Sequence, residues 1–271
     1  DKEGVNYADV LKDAQELGYA ESDPAADVEG SDAADKIAIL SSLAFGGAIN
    51  RAHIPTTGIN RLEAIDVNYA RKLGYGIKLL AISEKDKNQS SVEKSQPLSI
   101  WVEPTLVPED NPLAGVNGVN NAILVEGNPI GQVMFFGPGA GSGPTASAVV
   151  ADILNIAGIQ SMSENNSLNL DPLLSAKSWR SCHVANEKEI TKKNYIRLIA
   201  EDTPGVIGQV GTIFGQKKIS IESIVQFDAS DNVAEIVVIT HKIKQGQLEE
   251  ALKEIENLSQ VKRIAATLGC L

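Results

Sequence analysis

Asp32 and Lys36 stand four residues apart, acid first, in a stretch with helical spacing, so the two share one face. Lys36 is flanked by alanines, Ile37 and Leu40, an apolar setting that predicts a cleft and not open water. A lysine partly withdrawn from water beside a carboxylate can move a proton near neutral pH. Burial lowers its pKa and the acid raises it. The plain alternative is a surface ion pair worth at most about 0.5 kcal/mol. Asp35 is adjacent to Lys36 in sequence but points about 100° away around the helix, so it is expected in solvent.

The pair is preceded by a loop crowded with acids: Glu21, Asp23, Asp27 and Glu29, punctuated by Pro24 and Gly30. Like charges repel, and ordering them costs stability unless a cation or ligand is expected among them. They read either as turn formers and caps, or as holders of the ammonium of an amino-acid-like ligand. Their spacing matches no calcium loop, and no metal site is expected. A second glycine-rich stretch, residues 137–143, precedes a helical segment and lets backbone approach a ligand closely. It lacks the strand–helix–strand context and the downstream acid of a dinucleotide fingerprint. His53, His183 and His241 are isolated, and no nucleophilic triad is legible.

The elements that must position these residues follow from periodicity. Helices are expected over residues 6–17, 31–44, 65–73 and 145–157, the second apolar nearly all round and therefore buried. Strands are expected over residues 76–83 and 99–107, with Pro104 marking an edge or bend. Residues 120–126 and 130–136 read as a hairpin. Periodicity then fades through a Ser- and Asn-rich stretch. A compact unit follows in the order βαββαβ: strands at 195–201, 219–227, 233–241 and 261–268, helices at 206–216 and 245–258. The fold class is α+β: a mixed β-sheet covered by helices, then a ferredoxin-like βαββαβ unit. The predicted divisions are residues 1–158, a linker over 159–193, and 194–271.

The net charge of -11 argues against nucleic acid and anionic membrane as partners. Aromatic content of 4% leaves few stacking platforms for single-stranded bases. Two cysteines far apart, Cys182 and Cys270, form no disulfide framework and suit a cytoplasmic setting. No apolar run is long enough to span a membrane. The start at Asp1 carries neither Met nor a signal pattern, and predicts a piece of a longer protein.

Ala14, Gly18-Tyr19-Ala20, Asp23-Pro24, Asp27-Val28, Gly30, Asp32 and Lys36 together resemble the signature of homoserine dehydrogenases. Residues 70–80, Asn111-Pro112-Leu113-Ala114, and Gly139-Ala140-Gly141 with Thr145-Ala146 agree with it. The C-terminal unit resembles an ACT domain through its element order and its Asp202-x-Pro204-Gly205-Val206 turn. The resemblance implies NAD(P)H-dependent reduction of aspartate 4-semialdehyde to homoserine, in threonine, methionine and isoleucine biosynthesis. Carried over by position, Lys36 exchanges the proton at the aldehyde or alcohol oxygen, and Asp32 binds substrate and orients Lys36. Glu21 holds the substrate amino group, with Asp27 and Tyr19 in the same pocket, and Gly141 approaches the nicotinamide. The family's N-terminal Rossmann domain, which holds most of the NADP or NAD, is missing here, so the chain alone is expected to be inactive. The resemblance further implies a homodimer or tetramer, and threonine as an effector beside Asp202, Gly205 and Val206. Two other readings stand beside this one: a non-catalytic, amino-acid-binding regulatory fragment, and a purely structural dimerisation piece.

Overall fold

The computed structural model describes residues 12–13, 15–16, 24–85, 97–163, 180–227 and 232–271. The helix expected over 6–17 is seen only at residues 12–13 and 15–16, and Tyr19, Glu21 and Asp23 lie outside the described residues. A short helix α1 (Ala25–Val28) turns at Gly30 into α2 (Ser31–Phe45). Strand β1 (Gly47–Ile49) follows, then a 3-10 turn at Arg51–His53 and α3 (Ala64–Lys72). Strands β2 (Tyr75–Glu84) and β3 (Ser99–Pro108) pair antiparallel along their whole length, with Lys78 opposite Thr105. Strands β4 (Asn120–Gly127) and β5 (Gly131–Pro138) make a separate hairpin, followed by α4 (Ser142–Ser163).

Strand β6 (Arg180–Cys182) runs parallel to β1. Beyond it, Leu98 donates its N–H to the His183 carbonyl, and Ala185 donates to the Leu98 carbonyl. This stretch therefore docks on the N-terminal part of the fold. The last unit comprises β7 (Thr191–Glu201), α5 (Val206–Gln216), β8 (Ile221–Phe227), β9 (Val233–Thr240), the short β10 (Ile243–Lys244), α6 (Gln245–Glu256) and β11 (Val261–Cys270). Helix α5 forms because Val206, Val210 and Phe214 recur on one face, and that face is buried. They meet Leu248, Ala251 and Ile255 of α6 over Ile196, Leu198, Ile236 and Val238 of the sheet.

The two parts share one sheet, which the sequence reading does not anticipate. Its order is β2-β3-β11-β7-β9-β8, with β10 alongside β7. The joint is parallel, Gly269 beside Thr105 and Cys270 beside Leu106. A Cβ at Gly269 would come within 2.5 Å of Glu103 Oε1, so a side chain there would make the Glu103 carboxylate move. Beside it, Lys192 is ion-paired with Glu103, both largely buried.

One expectation is corrected. Helix α2 is not buried all round: Ala34 and Ala38 pack on Ile100 and Val102, while Ile39 (61% exposed), Leu43 and Phe45 face outward. Only one of its faces meets the β2–β3 layer. Pro104 pairs with Leu79 on its β2 side and stands at a local edge on its other side, so it breaks no ladder. Val102 donates its N–H to Pro55, away from β2, and Pro104, two residues on, turns its nitrogen to the same side. There β11 pairs only from Thr105 onward.

Candidate active site

The turn from α1 into α2 sets the stage for Asp32 and Lys36. Gly30 adopts φ 80° as the residue before α2, a left-handed conformation favouring glycine. A Cβ there would stand 3.3 Å from Val102 Cγ1 and 3.4 Å from Thr56 Cγ2. No side chain caps the start of α2. Ser31 Oγ donates to the Ala26 carbonyl at 3.2 Å, tying α1 to α2.

Lys36 Nζ donates to Asp32 Oδ2 at 2.6 Å, as the spacing predicts. Asp32 lies in the first turn of α2, where the helix dipole favours a negative charge. Both side chains are reachable from solvent, Lys36 63% and Asp32 44% exposed. The cleft expected around Lys36 is therefore not closed by the described residues. Asp35 points elsewhere, as expected, but it is not simply solvated: Arg51 Nε donates to its Oδ1 at 2.8 Å. Asp27 is exposed on α1, one short turn before the pair. Gly141, with φ 110°, precedes α4, and its carbonyl accepts from the Thr145 N–H at 3.1 Å, while a Cβ there would meet nothing closer than Pro144 Cδ at 3.8 Å. No hydrogen bond brings it to Lys36. Thus Asp32 and Lys36 are brought together, while Asp27 and Gly141 sit on neighbouring and separate elements.

A second polar cluster escapes the sequence reading. Arg197, in the middle of β7 and 1% exposed, donates from Nε to Asp66 Oδ1 at 2.6 Å and from Nη2 to Asp66 Oδ2 at 3.1 Å. It also donates to Glu63 Oε2 at 2.8 Å and Glu235 Oε2 at 3.1 Å. Tyr195 donates its hydroxyl to Asp66 at 3.1 Å. Glu63 and Asp66 form a capping box on α3. The available signal was an arginine inside the apolar run Tyr195-Ile196-Arg197-Leu198-Ile199, since arginine is almost never fully buried without partners.

The electrostatics follow. Burial works against the Arg197 charge, but Asp66, Glu63 and Glu235 outweigh it and raise its pKa. Burial, then the Asp66 charge, raises Tyr195. The hydrogen bond from Arg197 is the largest influence on Glu63 and holds its pKa below the ordinary 4.5. A depressed carboxylate contributes stability above its ordinary pKa, and that contribution is lost as pH falls from 4.5 through the lowered value. Thermal unfolding followed from about pH 6 to about pH 3 is therefore expected to fall less steeply in Glu63→Gln than in the parent. Parallel curves would show that Glu63 gains nothing from the contact.

At the far end of the sheet, the Asp202–Val206 turn leads into α5. Gly205 has φ 96° and Val206 is buried. Gln226 donates from Nε2 to Asp202 Oδ1 at 2.9 Å. A shallow cleft is lined by residues 201–207 with Gln226 and Ile236.

These observations define a two-part α+β protein: an acid–lysine helix on a β-sheet, and a ferredoxin-like unit that extends the same sheet. The homoserine dehydrogenase family profile matches residues 1–154, and the ACT domain profile matches residues 194–260. A homoserine dehydrogenase of Synechocystis is 49% identical over 99% of this chain, and one of Neisseria gonorrhoeae 40% over 97%. Among solved structures, a homoserine dehydrogenase of Thiobacillus denitrificans covers the whole chain with a TM-score of 0.89 at 35% identity. The S. aureus homoserine dehydrogenase covers the whole chain at 0.68 and 28%. The chain belongs to the homoserine dehydrogenase family and carries an ACT domain. It spans 61% and 58% of the two curated relatives, and 59% and 60% of the two solved chains.

Proposed function

We propose that this chain supplies the substrate-binding and proton-transfer part of an NAD(P)-dependent homoserine dehydrogenase, with an amino-acid-sensing unit attached. The observation that carries the reading is the Asp32–Lys36 pair, held at 2.6 Å on a helix with both groups open to a ligand. In the reduction of aspartate 4-semialdehyde, negative charge develops on the aldehyde oxygen. Lys36 Nζ donates the proton that quenches it, and in the reverse direction takes that proton from the homoserine hydroxyl. Asp32 holds the Lys36 ammonium in place through the 2.6 Å contact. Asp27, with Glu21 and Tyr19, recognises the substrate ammonium, which suits the acidity of this loop.

Bound NADP or NAD supplies or accepts the hydride. The fit of this chain to a nicotinamide is limited to the open backbone at Gly141, where positive φ and free space let a flat ring come close. No dinucleotide fingerprint accompanies it.

We also assign a paired state. Phe135 (62% exposed) and Phe136 of β5 and Ile153 and Leu154 (66%) of α4 are too many large apolar side chains to leave in water. Two copies covering these faces form a homodimer, and light scattering should return about twice the chain mass of 28.8 kDa. A monomer at micromolar concentration would overturn this.

The amino-acid effector, threonine by chemistry and pathway position, is assigned to the Asp202–Val206 turn. Calorimetry on the 271-residue chain tests the division of labour. L-threonine is expected to bind and NADPH to bind far more weakly. Tight NADPH binding, or no amino-acid binding, would sink it.

A further inference from the structure

We infer that residues 55–63 form a strap through which the C-terminal unit positions the loop before α2, and that Glu63 is the positioning residue at its end. The inference rests on the assignment of that loop and of Lys36 to the substrate site, and extends it to a residue and a route that the assignment does not contain.

The N-terminal half of the strap is bound on two sides. Val102 donates its N–H to the Pro55 carbonyl at 2.9 Å, and Thr57 donates to the Val102 carbonyl at 2.8 Å, stitching the strap to β3. Ile59 then donates to the Val28 carbonyl at 2.8 Å, at the residue after Asp27. Between these bonds sits Gly58. A Cβ there would overlap the Val28 carbonyl oxygen and lie 2.5 Å from Glu29 Cα. Backbone presses on backbone, so neither segment can shift without the other.

The other half reaches the C-terminal unit within four residues. Leu62 donates its N–H to the Ile59 carbonyl at 3.0 Å, which closes a turn and leaves little slack. Leu62 and Ile65 pack against the cluster containing Tyr195, Val237 and Ile239. Glu63 then pairs with Arg197 at 2.8 Å and with Arg263 at 3.4 Å, on β7 and β11. A displacement of β7 or β11 pulls Glu63, and the closed turn passes it to Ile59 and Val28. The neighbouring contacts link the effector turn to the same helix. Gln226 holds Asp202, and the next residue, Phe227, stacks on Tyr69 of α3 with ring centres 4.0 Å apart and planes 5° apart.

Glu63→Gln tests the strap. Glutamine keeps the length and the capping oxygen but removes the charge. In the full-length enzyme that contains this chain, KM for homoserine is expected to rise about fivefold while kcat changes less than about twofold. In the 271-residue chain itself, hydrogen exchange of the Ile59 amide is expected to accelerate. Lys188→Gln, which breaks an exposed pair with Glu249 inside the C-terminal unit, serves as the control and should leave both readings unchanged. An unchanged KM or an unchanged Ile59 exchange rate in Glu63→Gln overturns the strap. If the parent enzyme shows no turnover of homoserine at all, the assignment of the substrate site has failed instead, and the exchange rate alone decides the strap.

Discussion

Lys36→Met in the full-length enzyme lowers kcat for homoserine oxidation by about 100-fold or more, the usual cost of losing a positioned acid–base group. Methionine keeps the unbranched stem and the helix propensity of lysine while removing the ammonium. The fold does not depend on that ammonium. Lys36 is mostly exposed, and its pair with Asp32 stabilises the helix by no more than about 0.5 kcal/mol. A change in unfolding temperature of less than about 2 °C should therefore accompany the loss of turnover. Asp32→Asn is the companion variant. It keeps a hydrogen-bond acceptor beside Lys36 but removes the charge that holds the ammonium. It is expected to lose less turnover than Lys36→Met and to raise KM as well, since Asp32 also touches substrate. A Lys36→Met enzyme within about tenfold of the parent would show that water or another group handles the proton.

The residues of this pair were legible because both signals are local. Four-residue spacing on a helix needs no knowledge of the rest of the fold, and the 2.6 Å contact follows from it. The same holds for α5, where Val206, Val210 and Phe214 mark the buried face and the Pro204-Gly205 turn marks the start. What the chain does not advertise locally is who packs against whom. Helix α2 is apolar around most of its circumference and reads as buried. Burial needs a partner on each face, and only the Ala34–Ala38 side has one among the described residues. Gly58 lies between Thr57 and Ile59 with no local reason to be glycine. The reason is the Val28–Glu29 backbone, some thirty positions earlier in the chain. The parallel joint between β3 and β11 has the same character, since two residue pairs separated by more than 160 positions leave no periodic trace.

Arg197→Met should destabilise the protein by about 3–5 kcal/mol, because it strands a carboxylate instead of removing a pair. Asp66 is completely buried, and its two oxygens receive both Nε and Nη2 of Arg197. Without the guanidinium, Asp66 retains the Tyr195 hydroxyl and the Glu63 N–H, which are too few partners for a buried charge. At about 2–4 °C per kcal/mol for a chain of this size, the unfolding temperature should drop by about 10 °C. Lysine cannot replace arginine here. The fork serves Asp66, Glu63 and Glu235 at once, and a single ammonium cannot span the same three acceptors. Arg197→Lys should therefore recover only part of the loss. Combining Arg197→Met with Asp66→Asn decides the cause. If the stranded charge is responsible, the double variant is more stable than the sum of the two single effects by about 1 kcal/mol or more. Simple additivity would mean that the arginine acts through its packing on β7 alone, and that α3 is held to the C-terminal unit by the Tyr69–Phe227 stack and its apolar neighbours.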